Sequence, residues 1–323
     1  MRGKLKVALT RRWPQAVEQA MADVFELRIN EGNQTLDAKQ LADALAWADV
    51  VCPTVTDSIS ADLLGAASVK TRLLANFGVG FNHIDLAAAQ LAGIAVTNTP
   101  GVLTDATSEI ALTLMLSCAR RTSEGERLVR SGQWEGWHPT HMLSTQVTGK
   151  TLGIVGFGRI GLAFARQAHF GLGMEILYSS RTQRSEQVLQ NLPAEYCPLE
   201  ELLARSDFVS LHCPATPDTR HLINAQTLAA MRSSAHLINT ARGDIVNETD
   251  LITALKQGVI AGAGLDVYEA EPKLSVGLEV LENVVLLPHM GSGTTQTRVA
   301  MGQCAAANIE AFAAGRELPN QVG

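Results

Sequence analysis

Thr151-Leu-Gly-Ile-Val-Gly-Phe-Gly-Arg-Ile-Gly161 is the stretch from which the rest of the chain can be read. Leu152–Val155 is a short apolar run, Gly156-x-Gly158-x-x-Gly161 a glycine turn, and Ile160, Leu162, Ala163 and Ala165 open a helix. Between a buried strand and a helix each glycine has a task. The first allows a tight turn, the second lets backbone approach a pyrophosphate, and the third lets the helix pack close on the strand. The N–H groups freed at the helix start then face the phosphates. A lone glycine pattern serves any parallel sheet; the strand before it and the helix after it favour a dinucleotide site.

Upstream, the pattern predicts strands over Lys4–Thr10, Phe25–Ile29, Asp49–Cys52, Leu73–Phe77 and Ile94–Thr97. Helices are expected from Pro14 through Met21 and over Asp37–Ala48, Ile59–Ala67 and His83–Ala92. Such alternation implies a parallel sheet with helices on both faces. Thr104–Arg121 reads as a long helix, acidic at its start (Asp105, Glu109) and basic at its end (Arg120, Arg121), which suits the helix dipole. Thr122–Gly132 continues as polar helix. Gln133–Thr148 reads as irregular and holds Trp134, Trp137, His138 and His141. It is either a hydrophobic clasp on a neighbouring surface or part of a substrate pocket or subunit interface. Downstream of the glycine turn, strands are expected at Glu175–Tyr178, Phe208–His212, His236–Asn239, Ala261–Asp266 and Val284–Leu287. Helices are expected near Glu200–Arg205, Ala225–Met231, Thr249–Gln257 and Thr295–Arg316. The fold class is therefore α/β, with two doubly wound parallel sheets.

A length of 323 residues favours two domains. A net charge of −6 argues against the basic face that nucleic-acid binding requires. The longest uncharged apolar run, Ile110–Ala119, is about half a membrane span. The first residues, Met1–Thr10, have too short an apolar core for a signal peptide. Cys52, Cys118, Cys197, Cys213 and Cys304 are scattered and odd in number, so neither a disulfide framework nor a metal site is expected, and a reducing, cytoplasmic setting is.

A carboxylate about twenty residues past the first glycine would grip the ribose hydroxyls of NAD. Ser179 and Ser180 stand there instead, followed by Arg181, Thr182, Gln183 and Arg184. Small hydroxyls and guanidinium groups suit the extra 2′-phosphate of NADP, which a carboxylate would repel. NADP(H) is thus expected in preference to NAD(H).

Three polar residues follow later apolar runs. Arg242 lies in Asn239-Thr-Ala-Arg-Gly-Asp244, Glu271 in Leu265-Asp-Val-Tyr-Glu-Ala-Glu-Pro272, and His289 in Leu286-Leu-Pro-His-Met-Gly-Ser292. In an open α/β sheet the ligand crevice lies beyond the carboxyl ends of the strands, so all three are expected in one crevice. Singly, such residues are usually structural. Together they match carbonyl reduction: a His supplies a proton, a carboxylate orients it, and an Arg holds a carboxylate or carbonyl.

Over nearly its whole length the chain resembles the D-2-hydroxyacid dehydrogenase family, in particular its glyoxylate/hydroxypyruvate reductase branch. The likeness rests on Gly78-Val-Gly-Phe-Asn-His-Ile-Asp85, Asn98-Thr-Pro-Gly101, Ala106-Thr-Ser-Glu109, Gly153–Gly161, His212-Cys-Pro-Ala-Thr-Pro217, Asn239–Asp244, Gly264–Pro272 and Pro288–Ser292. The resemblance implies a Rossmann-type nucleotide-binding domain (100–289) inserted into a flavodoxin-like substrate domain (1–99 and 290–323). It implies a catalytic set of Arg242, Glu271 and His289, with the N–H groups of Val79 and Gly80 on the substrate carboxylate. It puts Thr107, Pro214, Ala241 and Asp266 beside the cofactor, Asp266 near the nicotinamide amide. With the glycine turn and the serine–arginine loop, the expected cofactor contacts are Thr107, Gly156, Gly158, Arg159, Ile160, Ser179, Ser180, Arg181, Thr182, Arg184, Cys213, Pro214, Thr240, Ala241, Arg242, Asp266, His289 and Gly291. For Cys213, directly after a buried-looking strand, packing is the simpler account.

The family commonly forms homodimers, and in this branch a Trp from the loop before the glycine turn approaches the partner's substrate pocket. Trp134 and Trp137 are the candidates, Trp137 the favoured one. The expected reaction is NADPH-dependent reduction of glyoxylate and hydroxypyruvate to glycolate and D-glycerate, with His289 as proton donor and no membrane or nucleic-acid partner. Two alternatives stand beside it. One is a D-2-hydroxyacid dehydrogenase for a larger acid; the other is a dinucleotide-sensing corepressor on the same fold.

Overall fold

The computed structural model describes residues 4–323. The chain divides into two compact units, one built from the residues up to Leu103 together with Ser292–Gly323, the other from Thr104–Gly291. The cuts follow Leu103 and Gly291 rather than residues 99 and 289. Thr104 begins a helix that runs to Arg120 and packs within the second unit, and the Gly291 N–H is held there by Asp266.

In the first unit, strands β1 (Lys6–Leu9), β2 (Glu26–Ile29), β3 (Val50–Cys52), β4 (Leu73–Ala75) and β5 (Ala95–Thr97) run parallel in the order β5-β4-β3-β1-β2. This is the flavodoxin-like order. The central strands β3 and β4 are apolar and buried throughout, as expected of parallel strands covered on both faces, whereas edge strand β2 is nowhere fully buried. Local chemistry sets the helix ends. Asp37 and Gln40 form a reciprocal capping box on Ala38–Trp47, and Asp85 caps Leu86–Leu91. The helix expected over Ile59–Ala67 spans only Ala61–Leu64, between the Ser60 cap and Gly65.

The second unit holds β6 (Thr151–Val155), β7 (Glu175–Ser179), β8 (Ala194–Tyr196), β9 (Phe208–Leu211), β10 (His236–Asn239), β11 (Gly262–Leu265) and β12 (Val284–Leu286). They are parallel in the order β12-β11-β10-β9-β6-β7-β8, the dinucleotide-binding order extended by one strand. Its core lies on both faces of the sheet, around Leu211, Leu237 and Leu265 on one side and Ile154, Phe164 and Ile238 on the other. Strand β8, Ala-Glu-Tyr, escapes sequence reading because an edge strand of three residues carries no apolar alternation.

The chain then returns to the first unit through the helix Thr295–Ala313 and ends in β13 (Gln321–Val322), antiparallel to β5. The sequence pattern does not announce that strand either. Asn308, fully buried, accepts from Asn320 N (3.1 Å) and so brings the tail back to the sheet. Among the described residues no helix is long and apolar enough to cross a membrane.

Candidate active site

Strand β6 runs into Gly156, which holds φ at +93°; a Cβ there would lie 2.4 Å from Cys213 N, so both the turn and the close approach demand glycine. A Cβ at Gly161 would lie 2.6 Å from Gly156 O. At Gly158, the N-cap of the helix Arg159–Leu172, a Cβ would meet nothing within 4 Å, so the turn is open on that side. The open backbone, with the unsatisfied N–H groups of Arg159 and Ile160 behind it, matches what a pyrophosphate requires. Beyond β10, the buried Thr240 Oγ1 has no protein partner, a second sign that a polar ligand belongs here. The residues fit a dinucleotide.

The Ser179 carbonyl accepts from Gly156 N (2.8 Å), so the serine loop adjoins the glycine turn. Ser180 Oγ donates to Thr182 O (2.7 Å), and the Tyr178 hydroxyl accepts from Arg184 N (3.0 Å). Arg184 Nε donates to Phe157 O inside the glycine turn (2.8 Å), a tie the sequence does not reveal, while Arg181 and Thr182 are exposed. No carboxylate stands between Ser179 and Arg184.

After β10, Asn239 closes a tight turn: its side chain accepts from Ala241 N (3.0 Å) and donates to Arg242 O (2.8 Å). Asn at a strand end commonly bonds the backbone two residues on. Arg242 Nη1 donates to Ala241 O (2.6 Å). Burial lowers the pKa of its guanidinium, partly countered by the charges of Glu271 and Asp244. Gly243 lies against Tyr268, whose carbonyl carbon would be 1.8 Å from a Cβ. This contact presses the Arg242 turn onto the loop that carries Glu271.

Glu271 Oε2 accepts from His289 Nδ1 (2.8 Å) and Oε1 accepts from Tyr268 N (3.0 Å). Burial pushes the Glu271 carboxyl upward, but the hydrogen bond and charge of His289, the Tyr268 N–H and Arg242 together hold it below the usual carboxylate range. Both side chains stay reachable, 31% and 28% exposed for His289 and Glu271. His289 itself is left-handed, φ 53°. Asp266, 1% exposed at the end of β11, holds the turn after it: Oδ1 accepts from Met290 N and Oδ2 from Gly291 N, each at 2.7 Å. Burial raises the Asp266 pKa against those two donors and the charge of His289. The Tyr268 hydroxyl donates to Leu287 O (2.7 Å), tying the Glu271 loop to the segment that leads to His289.

Thr107 is buried, and a side chain at Gly291 would press on both Thr107 and Asp266, so these three are gathered in one place. Cys213 backs the glycine turn, and burial pushes its thiol up to about 11, an inert packing cysteine. Pro214 accepts from Thr219 Oγ1 through its carbonyl (2.7 Å). Trp137 is 80% exposed and joins none of these groups within its own unit. His138 and His141 pack on each other, ring centroids 5.2 Å apart.

In the first unit the Gly78-Val-Gly80 turn follows β4 and Asn76. Its three carbonyls are all held inward. Asn76 Nδ2 donates to Gly78 O and Gly80 O (3.0 Å each), Asn98 Nδ2 to Val79 O (2.9 Å), and Thr99 N to Gly78 O (3.1 Å). Among the described residues the N–H groups of Val79 and Gly80 donate to no protein acceptor.

The profile of the D-isomer specific 2-hydroxyacid dehydrogenase NAD binding domain matches residues 112–291, more than half of the chain. The chain belongs to this family of NAD(P)-dependent oxidoreductases acting on CH–OH groups. It is 45% identical to a glyoxylate reductase of Thermococcus litoralis, covering 99% of this chain and 97% of that protein. Among solved structures, a Thermus thermophilus protein superposes with a TM-score of 0.91 at 40% identity, covering 99% of this chain and all of that one. An NADPH-dependent glyoxylate/hydroxypyruvate reductase of Sinorhizobium meliloti, in complex with NADP and malonate, gives 0.87 at 33% identity, with 99% and 97% covered.

Proposed function

We propose that the protein reduces small 2-oxoacids, glyoxylate and hydroxypyruvate, to glycolate and D-glycerate with NADPH as the electron donor. The observation that carries this is the His289–Glu271 pair: Nδ1 is committed to a carboxylate at 2.8 Å, which makes Nε2 the atom that gives the proton. When bound, the reduced nicotinamide supplies the hydride that C2 of the oxoacid accepts. His289 then protonates the carbonyl oxygen. Arg242 meets the charge growing on that oxygen and holds the substrate in place, its guanidinium strengthened by partial burial. The free N–H groups of Val79 and Gly80 take the carboxylate, as a turn with its carbonyls tied back can. Asp266 keeps the His289 turn in place. A panel of small and branched 2-oxoacids, each tried with NADPH and NADH and followed optically, tests the substrate range. Preference for a bulky acid would favour the larger-substrate enzyme, and inertness toward all of them the corepressor-like binding protein.

Preference for NADP rests on Ser179, Ser180, Arg181 and Arg184, and the Sinorhizobium relative that carries NADP supports it. Arg184, braced on Phe157, supplies a cation fixed beside the glycine turn. Ser179→Asp is expected to lower kcat/KM for NADPH about 10- to 100-fold, the size of one like-charge contact near a protein surface, and to move preference toward NADH. Untouched NADPH kinetics would remove this loop from the 2′-phosphate site.

Glu271→Gln keeps the shape and loses the charge. The proton donor is the charged imidazole, fully present at low pH and lost as pH rises; the carboxylate favours it. Reductive kcat/KM in the variant should therefore begin to fall at lower pH than in the wild type. Because Glu271 is held below the usual carboxylate range, it is an ionised carboxylate that faces the imidazole through the neutral range. A coincident pH profile would exclude Glu271 from the acid–base pair.

The same reading makes the chain a homodimer in a cytoplasmic setting, in keeping with its five free thiols. Trp137, so exposed in its own chain, is the side chain offered to the partner's pocket.

A further inference from the structure

We infer that Asn76 and Asn98 are positioning residues for substrate binding: each aims one of the two N–H groups that take the carboxylate. The inference rests on reading the Gly78–Gly80 turn as the carboxylate site. A trans peptide is planar, so its C=O and the next residue's N–H point in opposite directions. Holding Gly78 O therefore aims Val79 N–H, and holding Val79 O aims Gly80 N–H. Asn76 and Thr99 N hold the first carbonyl; Asn98 holds the second. Asn76 also fixes Gly80 O, which stops the turn from rotating at its far end. Both asparagines are buried, 1% and 7% exposed, so their amides are not traded for water.

The amide orientation of Asn76 is itself enforced. Nδ2 has two protons and two carbonyls to satisfy; Oδ1 faces His83 Nε2 at 3.0 Å. Turning the amide over would set its oxygen against two carbonyl oxygens, so the carbonyls fix Oδ1 toward the ring. Facing that oxygen, His83 Nε2 donates, which adds a third hydrogen bond holding Asn76 in the donating orientation. The donors of this turn are backbone N–H groups, which is why residue type alone does not mark them. Two buried asparagines acting through the backbone give a preset pair of donors.

The test compares glyoxylate with its neutral amide, 2-oxoacetamide, as substrates of the NADPH-loaded enzyme. The wild type should prefer the acid. In Asn76→Ala and Asn98→Ala that preference, taken as the ratio of kcat/KM values, should fall about tenfold or more. The fall should come mainly from a raised KM for the acid, with NADPH affinity within twofold of wild type. If the wild type fails to discriminate acid from amide, the carboxylate reading of the turn is wrong. If it discriminates and both variants discriminate equally well, that reading stands and the positioning role is overturned. Should the asparagine variants not fold, the half-buried His83 gives the same answer. His83→Gln keeps an N–H donor and should keep the acid preference, while His83→Leu should lose part of it; equal preference in the two overturns the proposal.

Discussion

His289→Ala should lower turnover of 2-oxoacid reduction about 10²- to 10⁴-fold, the range for removal of a general acid, while leaving NADPH affinity within twofold. The imidazole is 31% exposed and held by one side-chain partner, Glu271, so the change removes no core packing. The backbone turn around it is kept by Asp266 through Met290 N and Gly291 N, which alanine does not disturb. The one local cost is the left-handed φ of 53° at residue 289, which alanine adopts less readily than histidine, on the order of 1 kcal/mol. Thermal unfolding should therefore move little while activity collapses. Stopped-flow single turnovers with NADPH prebound would place the loss in the chemical step. Loss of cofactor affinity instead would mean that His289 binds rather than donates.

Gly243→Ala should fail in the other way, losing stability and activity together. Its Cβ would stand 1.8 Å from Tyr268 C, 2.0 Å from Tyr268 O and 2.3 Å from Glu269 N. These are backbone atoms, not the end of a flexible side chain, so either the Arg242 turn or the Glu271 loop must move. Overpacking usually costs about 1–3 kcal/mol, and a clash with backbone belongs at or above the upper end. A shift of about 1 Å in catalytic geometry can itself cost roughly 100-fold in rate. Urea unfolding and kcat/KM for glyoxylate, measured on one preparation, check both expectations. Wild-type stability in this variant would show that the two loops are not pressed together as described.

How much of this was legible beforehand depends on sequence distance. The glycine turn declares itself because its strand, turn and helix are consecutive, and so does the helix that Asp37 caps. Arg242 and His289 could be expected near strand ends because each closely follows an apolar run, and Glu271 a few residues beyond one. Their supports could not. Asp266 holds N–H groups more than twenty residues later, and it does so only because β11 pairs with β12. Gly243 is an ordinary glycine until Tyr268 is laid against it. Arg184 reads as a cation for phosphate, but nothing local announces that its Nε is taken by Phe157 O. Strand β13 depends on Asn308 meeting Asn320, a contact made by the tertiary fold rather than by propensity. Asn98 stands in a turn-like Asn-Thr-Pro-Gly run, and only the fold directs its amide at Val79 O.

The central claim is that this chain moves a hydride from NADPH to C2 of a small 2-oxoacid with His289 as the acid. The most direct measurement mixes purified protein, NADPH and glyoxylate and follows the loss of reduced-nicotinamide absorbance alongside glycolate formation. Stoichiometric conversion, abolished in His289→Ala, is the expected result; no conversion of glyoxylate or hydroxypyruvate by a folded protein that binds NADPH would contradict it.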